Sequence, residues 1–361
     1  MPEFTSHDTV YTHGGVAKKI HYIAAGPTDA PLIIFLHGWP GIGLTWKHQL
    51  VAFAALGFRV VAPDMPGYGV STSRRVTSNY SQEALVEGML ALLSATGRPA
   101  AIWVAHDWGA CVASSLAAHH PDGIHALVLL SIPYRSAELG LQHLVSLVDR
   151  TVYPEDVYPF GNWDYMAHYE ESFETCIAKV YDPNIETLCK LLYAPTPPGT
   201  TRADASKPAF TVSIPKNGGL FGGGSAVPPP EALPTPLLAG EVFDALVQAM
   251  KKMGFWAATA YYMNHRENAA FNDSKANGAR LEKPVLFVHW EYDFVCATVG
   301  TRLADPMREA CSNLTEVVVD ARHNVHAERP EKVNSAIARF MVERAKECWP
   351  GYADTRYGER A

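Results

Sequence analysis

Asp107 has the sequence surroundings of a nucleophile exposed at a tight turn. It lies in the string AIWVAHDWGAC of residues 101–111, where an apolar run passes directly into a helical pattern. The small residues Ala105, Gly109 and Ala110 flank it, as a strained turn between a strand and a helix requires. The amino terminus of the following helix favours a negative charge at this point. Asp107 is therefore a candidate nucleophile, although an acid that only caps the helix would give the same pattern.

A carboxylate nucleophile restricts the reactions that are possible. It attacks a saturated carbon by displacement and forms an alkyl ester, but it is a poor nucleophile toward an amide or ester carbonyl. The substrate must therefore carry a leaving group on saturated carbon. A strained epoxide ring and a carbon–halogen bond both meet this requirement.

A general base and an acid that orients it are predicted in the last quarter of the chain. Asp293 lies just past the apolar run VLFVH of residues 285–289, and His323 lies just past LTEVVV of residues 314–319. The carboxyl ends of parallel strands are where open α/β sheets bind their ligands. His323 would activate water and Asp293 would orient its imidazole, in the chain order nucleophile, acid, histidine.

Neighbouring residues compete for these two roles. Glu291 and Asp320 are the alternative acids, and His326 is the alternative histidine. The position just after a strand favours Asp293 and His323 over them.

The segment HGWPG, which begins at His37, follows another apolar run. The backbone N–H groups of Trp39 and Trp108 are predicted to form an oxyanion hole. His37 itself is interpreted as a structural turn residue, and Pro40 is a candidate for a cis peptide bond. Asp64, which follows the next strand, is interpreted as a residue that ties its loop with hydrogen bonds.

Continuous apolar runs bounded by turn signals predict buried parallel strands. These runs cover residues 32–37, 59–63, 101–105, 126–131, 285–289 and 314–319. Helical patterns lie at residues 81–94, 110–119, 241–253 and 330–347. The alternation predicts an α/β fold with a mostly parallel, twisted sheet and helices on both faces.

The pattern changes between residues 136 and 279, which are rich in Tyr, Pro and Gly and lack a buried-strand run. We expect a helical cap here, inserted into a core formed by residues 1–135 and 280–361. Within this cap, residues 194–236 contain APTPP, GGLFGGG and VPPP. They are predicted to form a long loop without regular elements, of the kind that often wraps a functional site.

The composition excludes several classes of protein. Hydrophobic residues make up 48% of the 361 residues and charged residues 19%, which excludes global disorder. The net charge of −7 argues against nucleic acid or an anionic membrane as a partner. There is no membrane-spanning run and no secretory signal pattern, so the cytoplasm is the expected location. Six cysteines without a CxxC pair fit reduced thiols, and fifteen histidines without an HExxH pattern predict no metal site.

Taken in order, these motifs resemble those of the α/β-hydrolase-fold soluble epoxide hydrolases. The resemblance covers nearly the whole chain and rests on HGWPG, DMPGYG, HDWGA, the Asp293 segment and RHNVHAERPEKVN. Each motif alone is unspecific, but the ordered set is specific. Two positions depart from the family pattern. Arg322 stands where a glycine usually precedes the catalytic histidine, and His289-Trp-Glu stands where a glycine often follows the strand.

The resemblance also implies two tyrosines in the cap that hydrogen-bond the epoxide oxygen. The segment GFWAATAYYMN points to Tyr262, with its neighbour Tyr261 as the alternative. The segment NWDYMAHYE points to Tyr165, with Tyr169 as the alternative.

We therefore expect an epoxide hydrolase that converts a small hydrophobic epoxide and water into a vicinal diol without a cofactor. The alternative is a haloalkane or haloacid dehalogenase with the same Asp-His-Asp triad, which would need halide-binding donors where the tyrosines are placed. A non-catalytic receptor with this fold would have no need to keep nucleophile, acid and base together. Both a monomer and a homodimer are compatible with the sequence.

Overall fold

The computed structural model describes residues 3–72, 74–201, 208–275, 278–293 and 295–352, and it contains one eight-stranded sheet. The strands are β1 Thr5–His13, β2 Val16–Ala25, β3 Leu32–Leu36, β4 Arg59–Pro63, β5 Ala101–His106, β6 Ile124–Leu130, β7 Val285–Trp290 and β8 Leu314–Val319. Their order across the sheet is β1-β2-β4-β3-β5-β6-β7-β8. Strands β3 to β8 run parallel to one another, whereas β1 and β2 are antiparallel to their neighbours.

All six strands predicted from apolar runs are present, and the α/β fold is confirmed. The hairpin formed by β1 and β2 was not predicted. Strand β1 is mostly exposed and carries polar residues such as Asp8 and Thr9, because it forms one edge of the sheet. An edge strand of this kind lacks the continuous apolar run that marks the buried strands.

Thirteen α-helices are formed by the described residues. They are α1 Lys47–Ala55, α2 Gln82–Ala95, α3 Trp108–His119, α4 Leu141–Ser146, α5 Asp164–Cys176, α6 Ile185–Leu192, α7 Ser213–Lys216, α8 Gly240–Met253, α9 Trp256–Thr259, α10 His265–Asp273, α11 Asp305–Ala310, α12 Val325–Glu328 and α13 Pro330–Arg344. The four helices predicted from the sequence correspond to α2, α3, α8 and α13, and α5 is kinked at Ser172. None of the described helices has the length and apolarity that crossing a membrane requires.

The sheet separates two apolar cores, one on each face. In β3, Ile33 and Phe35 are packed into one core, while Ile34 and Leu36 are packed into the other. All four side chains are fully buried, as expected for a parallel strand covered by helices on both sides. This arrangement explains why the central strands are apolar at every position rather than at alternate positions.

A helical insertion connects β6 to β7 and contains α4 to α10. No strand occurs among its described residues. The prediction that residues 194–236 form no regular element is wrong, because α7 lies within that segment. Val212, just before α7, and Ile214 within it are buried, and α7 packs against α5, so apolar burial stabilises this one helical turn. Residues 202–207 of the predicted loop lie outside the described residues, and the division into core and cap stays a prediction.

Candidate active site

Asp107 occupies a strained turn between β5 and α3. Its backbone has φ 53° and ψ −125°, a conformation that residues other than glycine rarely adopt. A β-carbon at Gly109 would lie 2.5 Å from the carbonyl oxygen of Leu36, and one at Gly38 would overlap the Asp107 carboxylate. The small neighbours are therefore required for close approach of the backbone. The side chain of Asp107 makes no capping hydrogen bond to α3, so helix capping does not account for it.

The Asp107 carboxylate is held by one backbone amide. The N–H of Trp39 donates to its Oδ1 at 2.7 Å, and Trp39 is joined to Pro40 by a cis peptide bond, as the sequence had suggested. In the described part of the chain, the N–H of Trp108 makes no hydrogen bond to this carboxylate. The oxyanion role of both residues stays a prediction.

His323 lies between the two predicted carboxylates. Its Nε2 is 3.5 Å from Oδ2 of Asp107, and its Nδ1 is 2.9 Å from Oδ2 of Asp293. Oδ1 of Asp293 accepts the N–H groups of Val295 and Cys296, both at 3.0 Å, which fixes the orientation of the carboxylate. The structure therefore brings together three residues that lie up to 216 positions apart in the sequence, from 107 to 323.

The competing residues are directed elsewhere. Asp320 forms an ion pair with Lys332 at the surface. The ring of His326 packs against those of Trp46 and His106, with centroids 4.5 and 4.8 Å apart. Glu291, the other alternative acid, makes no ion pair within the described residues. The contacts thus favour Asp293 as the acid and His323 as the base.

Ser131 and His106 support the triad and were not recognised from the sequence. The hydroxyl of Ser131 donates to Oδ2 of Asp293 at 2.9 Å and lies 3.1 Å from Nδ1 of His323. Nε2 of His106 bonds the backbone carbonyl of His323 at 2.8 Å. Ser131 directly follows β6 and has a positive φ of 77°. In the sequence, the signal for its role was a polar residue placed directly after an apolar strand.

The charges of the triad stabilise one another. Burial alone would raise the pKa of both carboxylates, but the neighbouring His323 outweighs it. The pKa of Asp107 is lowered, and that of Asp293 is lowered to about 2. Burial alone would lower the pKa of His323, yet Asp293 and Asp107 together raise it to about 10. At neutral pH the resting site therefore contains two carboxylates and an imidazolium.

A cavity of about 430 Å³ opens onto the triad. Asp107 and His323 keep 12% and 23% of their side-chain surface exposed, whereas Asp293 keeps only 1%. The wall is largely apolar and aromatic. It is lined by Trp39, Asp107, Tyr165, Tyr169, Leu191, Leu192, Ala194, Phe210, Thr211, Ile214, Leu220, Leu237, Tyr262, Tyr292, Asp293, Val295, Arg322, His323 and Asn324. The cavity thus suits a small hydrophobic molecule in reach of Asp107, the candidate nucleophile.

Two of the four candidate tyrosines best fit a role in this cavity. Tyr165 and Tyr262 both line it, with ring centroids 6.0 Å apart. Tyr261 does not line it, because its hydroxyl donates to the carbonyl oxygen of Pro66 at 2.7 Å. Tyr169 also lines the cavity.

The surroundings of the hydroxyl groups separate Tyr165 from Tyr169. Burial raises the pKa of Tyr165 and Tyr262 well above the usual value, and the charge of Asp107 raises both further. For Tyr169, burial is again the main cause of the raised pKa, but its titratable neighbours are Tyr181 and Cys176 rather than a carboxylate. Tyr165 and Tyr262 thus keep their phenol protons and are close enough to Asp107 for its charge to act on both, which makes them the better candidates as hydrogen-bond donors.

Two other polar residues have the structural roles predicted for them. Nδ1 of His37 bonds the carbonyl of Gly38, and its Nε2 accepts the N–H of Met65. Burial lowers the pKa of His37 to about 4, so its imidazole is neutral. Asp64 accepts the N–H groups of Gly43 and Val70 and so ties two loops together.

One group of potential metal ligands occurs among the described residues. It consists of Asp293, Cys296 and His323, whose ligand atoms lie within 4.8 Å of one another. Two of these residues already bond each other, and burial raises the pKa of the Cys296 thiol well above its usual value. A protonated thiol is a poor ligand, so this donor set fits the triad better than a metal.

Comparisons with known proteins agree with this geometry. A family model described as alpha/beta hydrolase fold matches residues 31–330. Epoxide hydrolase A of Mycobacterium tuberculosis is 28% identical over 329 residues, which cover 90% of this chain and 94% of that protein. Epoxide hydrolase 3 of Siraitia grosvenorii is also 28% identical, and the match covers 93% of this chain and 98% of that protein. The crystal structure of epoxide hydrolase A from Mycobacterium thermoresistibile has a TM-score of 0.73 at 25% identity, covering 94% and 99% of the two chains.

The pKa of His323 tests the electrostatic coupling in the triad. A neighbouring negative charge favours the imidazolium, so Asp107→Asn should lower the pKa of His323 from about 10. Nuclear magnetic resonance titration of labelled histidines measures it, with the signal assigned through His323→Gln. Glu343→Gln, which removes a surface carboxylate paired with Arg339 on α13, is the control and should leave the value unchanged. An equal pKa in Asp107→Asn and the unmodified protein would contradict the coupling.

Proposed function

The chain belongs to the α/β-hydrolase fold family, and on that premise we propose that it is an epoxide hydrolase forming vicinal diols through an ester on Asp107. The family match confirms the α/β-hydrolase fold expected from the sequence, and the relatives named as epoxide hydrolases support the recognised family. The observation that carries the proposal is a carboxylate at the strained turn that lines the same cavity as Tyr165 and Tyr262. The relatives named as epoxide hydrolases match at least nine-tenths of the chain.

In the first step, Oδ2 of Asp107 attacks a ring carbon of the epoxide. Oδ1 accepts the N–H of Trp39 at 2.7 Å, whereas Nε2 of His323 lies 3.5 Å from Oδ2, so Oδ2 is the less tightly held oxygen and the one that reacts. The carbon–oxygen bond of the ring breaks, and its electron pair passes to the epoxide oxygen. Tyr165 and Tyr262 donate hydrogen bonds to this oxygen, and one of them gives it a proton. The tyrosinate regains its proton from the His323 imidazolium through solvent.

In the second step, His323 removes a proton from water, which attacks Cγ of the Asp107 ester. Ester formation has removed the negative charge of Asp107, so the pKa of His323 falls and its neutral form becomes available. The N–H of Trp39, and by our proposal that of Trp108, stabilise the oxyanion that develops on Oδ1. Collapse breaks the bond to Oδ2 and releases the diol, while the proton returns from His323 to the leaving oxygen. The Asp107 acid then gives its proton to His323, which restores the carboxylate and the imidazolium of the resting site.

We also propose that residues 136–279 form a cap over the site. Both candidate tyrosines and most of the apolar wall come from this segment, whereas the triad comes from the ends of β5, β7 and β8. A cap of this kind excludes bulk water and strengthens the hydrogen bonds to the epoxide oxygen. The cytosol is the proposed compartment, because all six cysteines are unpaired thiols, as a reducing compartment maintains them.

Paired product assays test the function against its alternative. The purified protein is incubated with styrene oxide, with diol release measured, and with a haloalkane of similar size, with halide release measured. We expect diol formation and no halide release above the rate without enzyme. Halide release without diol formation would instead establish the dehalogenase.

The two tyrosines provide a sharper test, because an alkoxide is a much stronger base than a departing halide. Donors near the oxygen therefore stabilise the transition state of epoxide opening more than the ground state. We expect Tyr165→Phe or Tyr262→Phe to lower the rate of ester formation roughly 10- to 1000-fold, and the double variant nearly to abolish it. Stopped-flow measurement of Trp fluorescence in single turnovers gives this rate.

Tyr261→Phe is the matched control. It removes a buried hydroxyl next to Tyr262 that bonds Pro66 and lies outside the cavity lining. Its rate of ester formation should stay near that of the unmodified protein. A double variant that opens epoxides as fast as this control would make Tyr165 and Tyr262 packing residues.

A further inference from the structure

Asn162 connects two parts of the chain that carry different residues of the proposed reaction. It is buried in the turn Gly161–Trp163, which leads directly into α5 and its Tyr165. Its side-chain amide donates a hydrogen bond to the backbone carbonyl of Val295 at 2.8 Å. Val295 belongs to the loop after β7 that also contains the acid Asp293. A carbonyl oxygen can only accept, so this contact depends on the NH₂ group of Asn162.

The hydrogen bond from Asn162 continues into the carboxylate of Asp293. The carbonyl of Val295 and the N–H of Cys296 belong to one peptide group, and this N–H donates to Oδ1 of Asp293 at 3.0 Å. A peptide whose carbonyl accepts a hydrogen bond is polarised, which strengthens the bond that its N–H donates. Oδ2 of the same carboxylate bonds Nδ1 of His323 at 2.9 Å. One side-chain amide therefore acts, through a single peptide, on the carboxylate that orients the base.

The turn that carries Asn162 is also fixed to the start of α5. The carboxylate of Asp164, the first residue of α5, accepts the N–H of Phe160 at 2.9 Å, so the two ends of the turn are bonded to each other. The backbone carbonyl of Asn162 accepts the hydroxyl of Thr211 at 3.1 Å. Tyr165 follows Asp164 directly in the helix. A displacement of Asn162 would therefore displace Tyr165 as well.

Tyr165 is close enough to the loop of Asp293 for that carboxylate to act on its hydroxyl. Burial raises the pKa of Tyr165 well above its usual value, and the charges of Asp107 and Asp293 raise it further. For Tyr262, burial is again the main cause of the raised pKa, and the carboxylate that adds to it is Asp107. Of the two candidate donors to the epoxide oxygen, Tyr165 is thus the one that senses the loop of Asp293.

We propose that Asn162 is a positioning residue that holds Tyr165 and the loop of Asp293 in a fixed relative position. This inference rests on the proposed function and adds a residue to its machinery. Tyr165 acts in the opening of the epoxide, and Asp293 orients the base that hydrolyses the ester. One hydrogen bond between the proposed cap and the core therefore prepares the geometry of both steps before the substrate arrives.

Selective ¹⁵N labelling of cysteine tests the hydrogen bond itself and needs no substrate. The ¹⁵N chemical shift of Cys296 responds to a hydrogen bond accepted by the carbonyl of Val295, because both atoms belong to one polarisable peptide. We expect Asn162→Ala to move the Cys296 signal, which is assigned through Cys296→Ser. Asn162→Leu, which keeps the branched shape of asparagine without its amide, should move it too. The signals of Cys189 and Cys348 should stay in place and so show that the fold is intact.

A double-mutant cycle on ester formation tests whether Asn162 acts through Tyr165. In single turnovers, we expect Asn162→Ala to lower the rate of ester formation roughly 10- to 100-fold, as small displacements of reacting groups do. With Tyr165→Phe already present, the same change should lower the rate less than about threefold, because the hydroxyl that Asn162 positions is gone. With Tyr262→Phe present, Asn162→Ala should keep its full effect. A merely structural role would lower the rate by the same factor in all three proteins.

Asn184→Ala is the matched control. It also removes a side-chain amide that donates to a backbone carbonyl at 2.8 Å, but its partner is Val180 within the proposed cap. It should leave both the Cys296 signal and the rate of ester formation unchanged.

An unmoved Cys296 signal in both Asn162 variants would overturn the proposal and leave epoxide hydrolysis intact. Equal slowing by Asn162→Ala in the unmodified protein and in Tyr165→Phe would overturn it in the same way. If the unmodified protein opens no epoxide, the proposed function fails instead. The connection between α5 and the loop of Asp293 is then decided by the Cys296 signal alone, which supports the connection if it moves and overturns it if it does not.

Discussion

The site depends on one constraint, which is that a carboxylate must be held at the tip of a strained turn and still remain charged. The positive φ of Asp107 directs its side chain above the sheet, and this requires that Gly38 and Gly109 carry no β-carbon. The charge survives burial because the N–H of Trp39 and the imidazolium of His323 contact its two oxygens. The parallel order of β3, β5, β6, β7 and β8 in turn brings these partners to one edge of the sheet.

The same contacts order the two chemical steps that we propose. His323 cannot act as a base while both carboxylates hold its pKa near 10. Alkylation neutralises Asp107, and only then does the imidazole lose its proton readily. Formation of the ester, which must come first, therefore makes neutral His323 available as the general base of the second step. Asp293 keeps the imidazole oriented throughout, supported by Ser131.

Most of the fold could be predicted from the sequence, because strands buried on both faces are apolar at every position. The triad residues could be predicted because Asp107, Asp293 and His323 each lie just after one of those strands. The edge strand β1 could not be found this way, since it is exposed and polar. Ser131 and His106 act through contacts across more than 150 positions, which no local pattern reveals. Tyr261 and Tyr262 are neighbours in one helical turn, and only the packing shows that Tyr262 lines the cavity while Tyr261 bonds Pro66.

The covalent ester on Asp107 is the central claim, and isotope transfer tests it most directly. A single turnover in water labelled with ¹⁸O, with enzyme in excess over epoxide, separates the two possible origins of the new diol oxygen. The account predicts an unlabelled diol and one labelled oxygen in the peptide that contains Asp107, because water attacks Cγ of the ester and the original carboxylate oxygen leaves with the product. Label in the diol of that first turnover, with none in the peptide, would mean that water attacks the epoxide itself and would contradict the account.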